Sequence, residues 1–268
     1  MDKLRFQSLG SGSSGNCYFL GNASYGILID GGIGVRTIRK NLKNIGLDFQ
    51  NIWAVFVTHD HADHIRAIGS IGERYNVPIY ATRKTHEGIK NSYCVTEKLY
   101  DSKKFIEKNE TVIIGDFSIT AFPVSHDATD NVGYKVVYKE KTFTFATDLG
   151  YICENAQKNL KVADYMVLEA NYDEDMLRNG HYPIHLQKRI TGEKGHLSND
   201  QTAKFLSENY SEKMKYVFLC HLSRENNKPE IAYSTIKSCL ENKDIKVGED
   251  LELIVLERFT PSKVYVFE

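Results

Sequence analysis

The sequence predicts an α/β fold in which sheets pack face to face with helices outside. In each half of the chain, runs of β-branched and aromatic residues give way to helical periodicity, and strands followed by helices can keep both sheets' outer faces dry. Residues suited to holding metal ions stand at the ends of several of those strands. At 268 residues, 41% hydrophobic and 26% charged, the chain is long enough for a sizeable core. No repeat, low-complexity tract or proline-rich linker interrupts it, so a single domain over 1–268 with two pseudo-equivalent halves is expected.

The first half is strand-rich. Residues 5–9, 17–20, 26–29, 53–57, 79–81, 111–114, 117–122, 133–138 and 142–146 carry β-type side chains, with turn residues between many of them. Helices are expected at 35–45 and 63–75, with another around Glu87. From Asp148 the pattern changes: 165–169 reads as a strand, 185–191 and 199–209 as helices, and 216–220 as a strand. Pro229 fits the first turn of a helix running to about Leu240, and 251–256 and 263–267 alternate as strands do. The glycine-rich stretch 10–16 lacks the Lys-Ser/Thr ending of a phosphate loop and runs into a strand. It reads as a turn whose small residues let another loop approach closely.

The densest chemistry is Thr58-His59-Asp60-His61-Ala62-Asp63-His64, at the end of the apolar run 53–57 and the start of a helix. Three imidazoles and two carboxylates on one strand-to-helix loop can serve two neighbouring cations; a solvated loop with Asp63 as helix cap is the plainer alternative. His126, Asp148 and His221 each follow a predicted strand and supply further ligands, Asp148 with two oxygens that can bridge two metals. Asp30, after 26–29, fits a carboxylate that hydrogen-bonds a ligand imidazole and fixes its tautomer. His196 precedes a capping box, Ser198-Asn199-Asp200-Gln201, so general-acid or oxyanion duty suits it better than ligation. His86 is expected on the surface. His181 and His185 can line a rim, and Lys188, Arg189 and Lys194 can guide phosphates or simply form a solvated face.

Composition sets bounds. Five scattered cysteines without a Cys-x-x-Cys pair argue against a disulfide framework or thiolate zinc cluster, and free buried thiols are expected. A formal charge of −1 gives no bulk attraction to nucleic acid, so a phosphate-rich substrate must be drawn by a local patch. Neither a signal-peptide pattern nor an apolar run approaching about 20 residues is visible, and cytoplasmic residence without membrane attachment is expected.

The His-x-His-x-Asp-His loop followed by His126, Asp148 and His221 resembles the metallo-β-lactamase fold superfamily. Residues 8–16, 124–128, 176–183, 195–199 and 221–227 are similar to the bacterial YycJ/WalJ-like group within it. The resemblance implies a four-layer αββα sandwich and a dinuclear site: His59, His61 and His126 on one metal, Asp63, His64 and His221 on the other, and Asp148 bridging. It also implies a nuclease, an exonuclease or related phosphodiesterase acting on DNA or RNA. The two His-Leu-Ser segments resemble those of tRNA-processing ribonuclease Z, where the first histidine assists phosphate chemistry and the second binds metal. In that reading Asp63 orients a metal-activated hydroxide and His196 stabilises charge or protonates the leaving group. Nitrogen and oxygen ligands suit zinc, and manganese is compatible. Hydrolysis of a small thioester, lactone or cyclic phosphodiester, and a metal-bound scaffold or sensor, are the competing expectations.

Overall fold

The structure, a computed structural model, describes residues 3–267. The chain divides into two compact units, one comprising residues up to Ile114 with Ala128–Asn131 and the tail from Glu257, the other Gly115–Asp127 and Val132–Leu256. Each is built around a mixed sheet with helices packed on it, the α/β class predicted from the sequence.

In the first unit the strands are β1 (Leu4–Gly10), β2 (Cys17–Gly21), β3 (Gly26–Ile29), β4 (Ile52–Phe56), β5 (Ile79–Ala81) and β6 (Lys103–Phe105). The helices are α1 (Val35–Asn44), α2 (Ala62–Ile65), α3 (Ile68–Tyr75) and α4 (Arg83–Asn91). Strand β7 (Thr111–Ile114) ends this stretch. The strand from the chain's end, Tyr265–Phe267, pairs antiparallel with β1. β1, β2 and β3 then run antiparallel, and β3, β4, β5 and β6 parallel. Strand β3 is buried along its length, which is why it reads as a continuous apolar run instead of an alternation. Phe19, Leu28 and Val55 meet Ile38 and Leu42 of α1 and Ile68 and Ile71 of α3 in one apolar core.

The second unit contains β8 (Phe117–Pro123), β9 (Val132–Tyr138), β10 (Lys141–Ala146), β11 (Tyr165–Glu169), β12 (Tyr216–Cys220) and β13 (Glu252–Val255). Its helices are α5 (Glu154–Leu160), α6 (Glu174–Asn179), α7 (Ile184–Ile190), α8 (Asn199–Asn209) and α9 (Pro229–Glu241). The strand at the chain's end is β14 (Tyr265–Phe267), so the two sheets are ordered β14-β1-β2-β3-β4-β5-β6 and β13-β12-β11-β10-β9-β8-β7. β8, β9 and β10 form an antiparallel meander, and β10 to β13 are parallel. Met166, Leu168, Val217 and Leu219 pack on Leu160, Leu206 and Ile236 from α5, α8 and α9. Each sheet therefore has an antiparallel half and a parallel half, and the main division of the chain falls near Ile114 and not at Asp148, where the sequence pattern changes.

Several expectations need correction. The helix expected over 63–75 is broken, because Gly31 donates to the His64 carbonyl and accepts from Ala67, taking groups that would otherwise continue the ladder. The hydrophobic spacing of Ile65, Ile68 and Ile71 survives the break and hides it. His86 is buried, not on the surface: it shares the inner face of α4 with Thr85 and Ile89, and its Nε2 donates to the Lys104 carbonyl at 2.7 Å. Strand β6, helix α5 and helix α6 went unpredicted; β6 has no apolar alternation and exists by pairing with β5. All five cysteines are free, but only Cys17 and Cys220 are buried. No helix among the described residues is long and apolar enough to cross a membrane.

Candidate metal and acid-base centre

In the first unit, parallel strands β3 and β4 deliver Asp30 and the histidine loop to the same sheet edge. Asp30 adopts a left-handed backbone, φ 60°, directly after β3, and is fully buried. Its carboxylate accepts from the Thr58 amide at 2.8 Å, the Thr58 hydroxyl at 2.9 Å and His64 Nδ1 at 2.8 Å. The Thr58 oxygen in turn accepts from His59 Nδ1 at 2.9 Å. One buried carboxylate thus holds the proton on Nδ1 of two imidazoles and leaves the lone pair on Nε2, the tautomer a metal requires. Burial pushes the Asp30 carboxyl up, opposed by the charge and hydrogen bond of His64 and by Thr58. Asp30 thus stands behind His64, with its carboxylate on Nδ1.

His59 and His61 lie on the loop after β4, their rings edge to face with centroids 4.8 Å apart, while Asp63 and His64 occupy the first turns of α2. The cap position of α2 is His61, and Asp63 lies inside the first turn. The glycine-rich stretch is more than a turn. It brings Asn16 against this loop, where the Asn16 amide donates to the Asp63 carbonyl and its side-chain Nδ2 lies 3.0 Å from His64 Nε2. Gly32 is indispensable beside it, since a Cβ there would stand 1.6 Å from the Asp63 carbonyl oxygen. Asp60 turns away from this cluster, accepting from the Thr129 amide and hydroxyl.

In the second unit, Asp148 follows β10 and His221 follows β12, the latter with φ 54°, an uncommon backbone for a histidine. His126 follows β8 and donates from Nδ1 to the Gly195 carbonyl at 2.9 Å; a carbonyl only accepts, so the lone pair sits on Nε2. The residue that organises this unit is Glu169, the last of β11, which sequence reasoning missed. Its Oε2 accepts from the amides of Leu149 and Leu197 at 2.9 and 3.1 Å, and its Oε1 from His196 Nδ1 and His221 Nδ1 at 2.7 and 2.9 Å. Burial favours the neutral acid, but the charge and hydrogen bond of His196, with the hydrogen bond of His221, outweigh it and hold Glu169 below its ordinary range. His196 moves the other way: despite burial, the Glu169 charge and hydrogen bond, with Asp148 behind, raise its pKa. Asp148, Glu169, His196 and His221 offer ligand atoms within 4.8 Å of one another, a set able to hold a cation. With two backbone amides and two imidazoles on its oxygens, Glu169 acts there as an anchor that turns both Nε2 atoms outward.

The segment 221–227 supplies the scaffold. Asn227 Nδ2 donates to the carbonyls of Ala170 and Asn171, Asn171 Nδ2 donates to the His221 carbonyl, and Thr202 closes on the Glu169 carbonyl. His181 and His185 remain exposed, and α7 buries no residue, its Arg189 donating to Asp127 at 2.5 Å. These nitrogen and carboxylate donors, with Nδ1 tied and Nε2 presented, fit divalent transition-metal ions.

The profile of the beta-lactamase superfamily domain matches residues 25–219. Exodeoxyribonuclease WalJ of Streptococcus pneumoniae serotype 2 is 33% identical over 250 residues, 93% of each chain. Exodeoxyribonuclease YycJ of Bacillus anthracis is 30% identical over 261 residues, 97% of this chain and 98% of its own. Among solved structures, the metallo-beta-lactamase fold protein YhfI of Bacillus subtilis aligns over 99% of this chain and 100% of its own with a TM-score of 0.73 at 16% identity. The short form of human tRNase Z aligns over 97% and 98% with a TM-score of 0.63, also at 16% identity. These two structural likenesses speak to the fold alone.

Proposed function

The chain belongs to the metallo-β-lactamase superfamily of metal-binding hydrolase folds, and on that premise we propose that it is a metal-dependent phosphodiesterase acting as a nuclease on DNA, an exonuclease like its named relatives. The observation that carries this reading is the His196–Glu169 pair. A thioester releases a thiolate and needs no proton. A phosphodiester releases a poorly stabilised alkoxide, and an imidazole whose pKa a buried carboxylate raises suits the acid that such a leaving group requires.

In this proposal the chain acts as a single hydrolase domain. By the family resemblance, His59, His61 and His126 would hold one divalent ion and Asp63, His64 and His221 a second, with Asp148 a candidate ligand to both; zinc would suit these ligands and manganese would be compatible. When bound, such ions would supply a water of lowered pKa and offset charge on the phosphoryl oxygens. Asp30 fixes the ring orientation of His59 and His64, and Glu169 that of His221 and His196. Asp63 orients the attacking oxygen. His196, with Nδ1 committed to Glu169, delivers the proton on Nε2 to the departing oxygen.

The test is a substrate panel in metal-defined buffer: end-labelled single-stranded and nicked DNA, RNA, bis(p-nitrophenyl) phosphate and a thioester. The proposal expects progressive loss of nucleotides from a DNA end. Turnover of the thioester with no cleavage of any nucleic acid would overturn it.

A further inference from the structure

Away from the histidine loop, the first unit holds a cavity of about 220 Å³ beneath α4 and the segment leading to β6. Its wall combines three chemistries. Ile89 and Leu99 give an apolar face, and Lys90, Lys98 and Lys103 surround it with cationic ends that have no carboxylate partner among the described residues. The third is His86, 4% exposed, whose Nε2 hydrogen is committed to the Lys104 carbonyl. Its Nδ1 therefore carries a lone pair, and that buried nitrogen has no hydrogen-bond partner. Burial pushes the His86 pKa down, which keeps the acceptor neutral.

A bare phosphate satisfies the lysines but offers no N–H or O–H for His86. An apolar ligand satisfies the wall but not the charges. We propose that this cavity binds a nucleoside phosphate: the phosphate on the three lysines, the flat base against Ile89 and Leu99, and a base amino or sugar hydroxyl group donating to His86 Nδ1. The surroundings suit a strand passing by, since Tyr93 and Tyr100 are exposed as stacking surfaces and Arg83 lies over the Phe105 ring at 4.4 Å. The occupant is a free nucleotide or one nucleotide of a strand. Only the second source rests on the nuclease reading.

The experiment measures binding of dAMP, deoxyadenosine, inorganic phosphate and a 5′-phosphorylated single-stranded oligonucleotide to the metal-loaded protein and to a Lys98→Glu/Lys103→Glu variant. Both positions are on the cavity rim, outside the proposed catalytic machinery, so hydrolysis of bis(p-nitrophenyl) phosphate should match wild type. We expect dAMP to bind more tightly than either fragment, and the double variant to weaken it by about tenfold or more. Competition by the oligonucleotide assigns the cavity to the strand, and its absence assigns it to a free nucleotide. A His86→Phe variant should lose dAMP affinity while keeping phosphate affinity. Equal dAMP affinity in wild type and the double variant overturns the cavity even if DNA is cleaved. Conversely, lysine-dependent dAMP binding in a protein that hydrolyses no phosphodiester keeps the cavity and removes the nuclease reading.

Discussion

Replacing Glu169 by glutamine changes one buried atom and tests the acid-base half of the centre. The carboxylate receives two amides on Oε2 and two imidazole N–H groups on Oε1. The glutamine oxygen can keep the Leu149 and Leu197 amides, but its NH2 then faces His196 and His221, whose Nδ1 atoms must become acceptors. Both rings are thereby forced into the opposite tautomer. His196 becomes a neutral imidazole with no usable proton to give, and His221 carries hydrogen on the Nε2 meant for a metal. Hydrogen bonds to a charged group contribute about 1.5–3 kcal/mol against about 0.5–1.5 for neutral ones. Four weakened bonds, less the relief of a buried charge, leave a net loss of about 2 kcal/mol. At about 2–4 °C per kcal/mol that is a fall in Tm of about 4–8 °C, so the variant should fold. Its kcat on DNA should fall by about 10² to 10⁴, with reduced metal content. Calorimetry, elemental analysis and a DNA degradation assay read these together. A variant with kcat within about twofold of wild type and unchanged metal content would refute the assignment of Glu169 as the anchor of both histidines.

His196→Ala should retain its metals and lose about 10² to 10⁴ in kcat on DNA but less on a nitrophenyl ester, which needs little protonation; equal losses would indicate charge stabilisation instead of proton donation. Asp30→Asn removes the acceptor that orders His59 and His64, and chelator competition should show metal affinity lower by about 10- to 100-fold. Gly32→Ala puts a methyl 1.6 Å from the Asp63 carbonyl oxygen, so it should lower stability by about 1–3 kcal/mol in denaturant titration and disturb the histidine loop; wild-type stability and activity would contradict the close approach.

The elements that carry strong periodicity were legible, and so were the ligand-type residues at strand ends. Asp30, Asp148, His126 and His221 stand out in sequence because each polar side chain abruptly ends an apolar run. Glu169 ends one in the same way, yet a glutamate before a polar loop is ordinary. What distinguishes it is convergence of donors from residues 149, 196, 197 and 221, a property of the fold and not of any window of sequence. Asn16 was hidden likewise, because nothing local says that its loop reaches His64. His86 was misjudged from its charged neighbours Arg83, Lys84 and Glu87, when its spacing of three to Ile89 was the signal for a shared inner helix face. The break between α2 and α3 depends on Gly31, more than thirty residues upstream, and no periodicity could reveal it.

The central proposal is that this chain is a metal-dependent hydrolase that cleaves DNA. Its most direct test is titration of zinc or manganese into chelator-stripped protein, with bound metal and release of nucleotides from end-labelled DNA followed on the same samples. The account predicts that activity is absent in the stripped protein and reaches its plateau at about two bound ions per chain. Full DNA cleavage by the metal-free protein, or two bound ions with no cleavage, would contradict it.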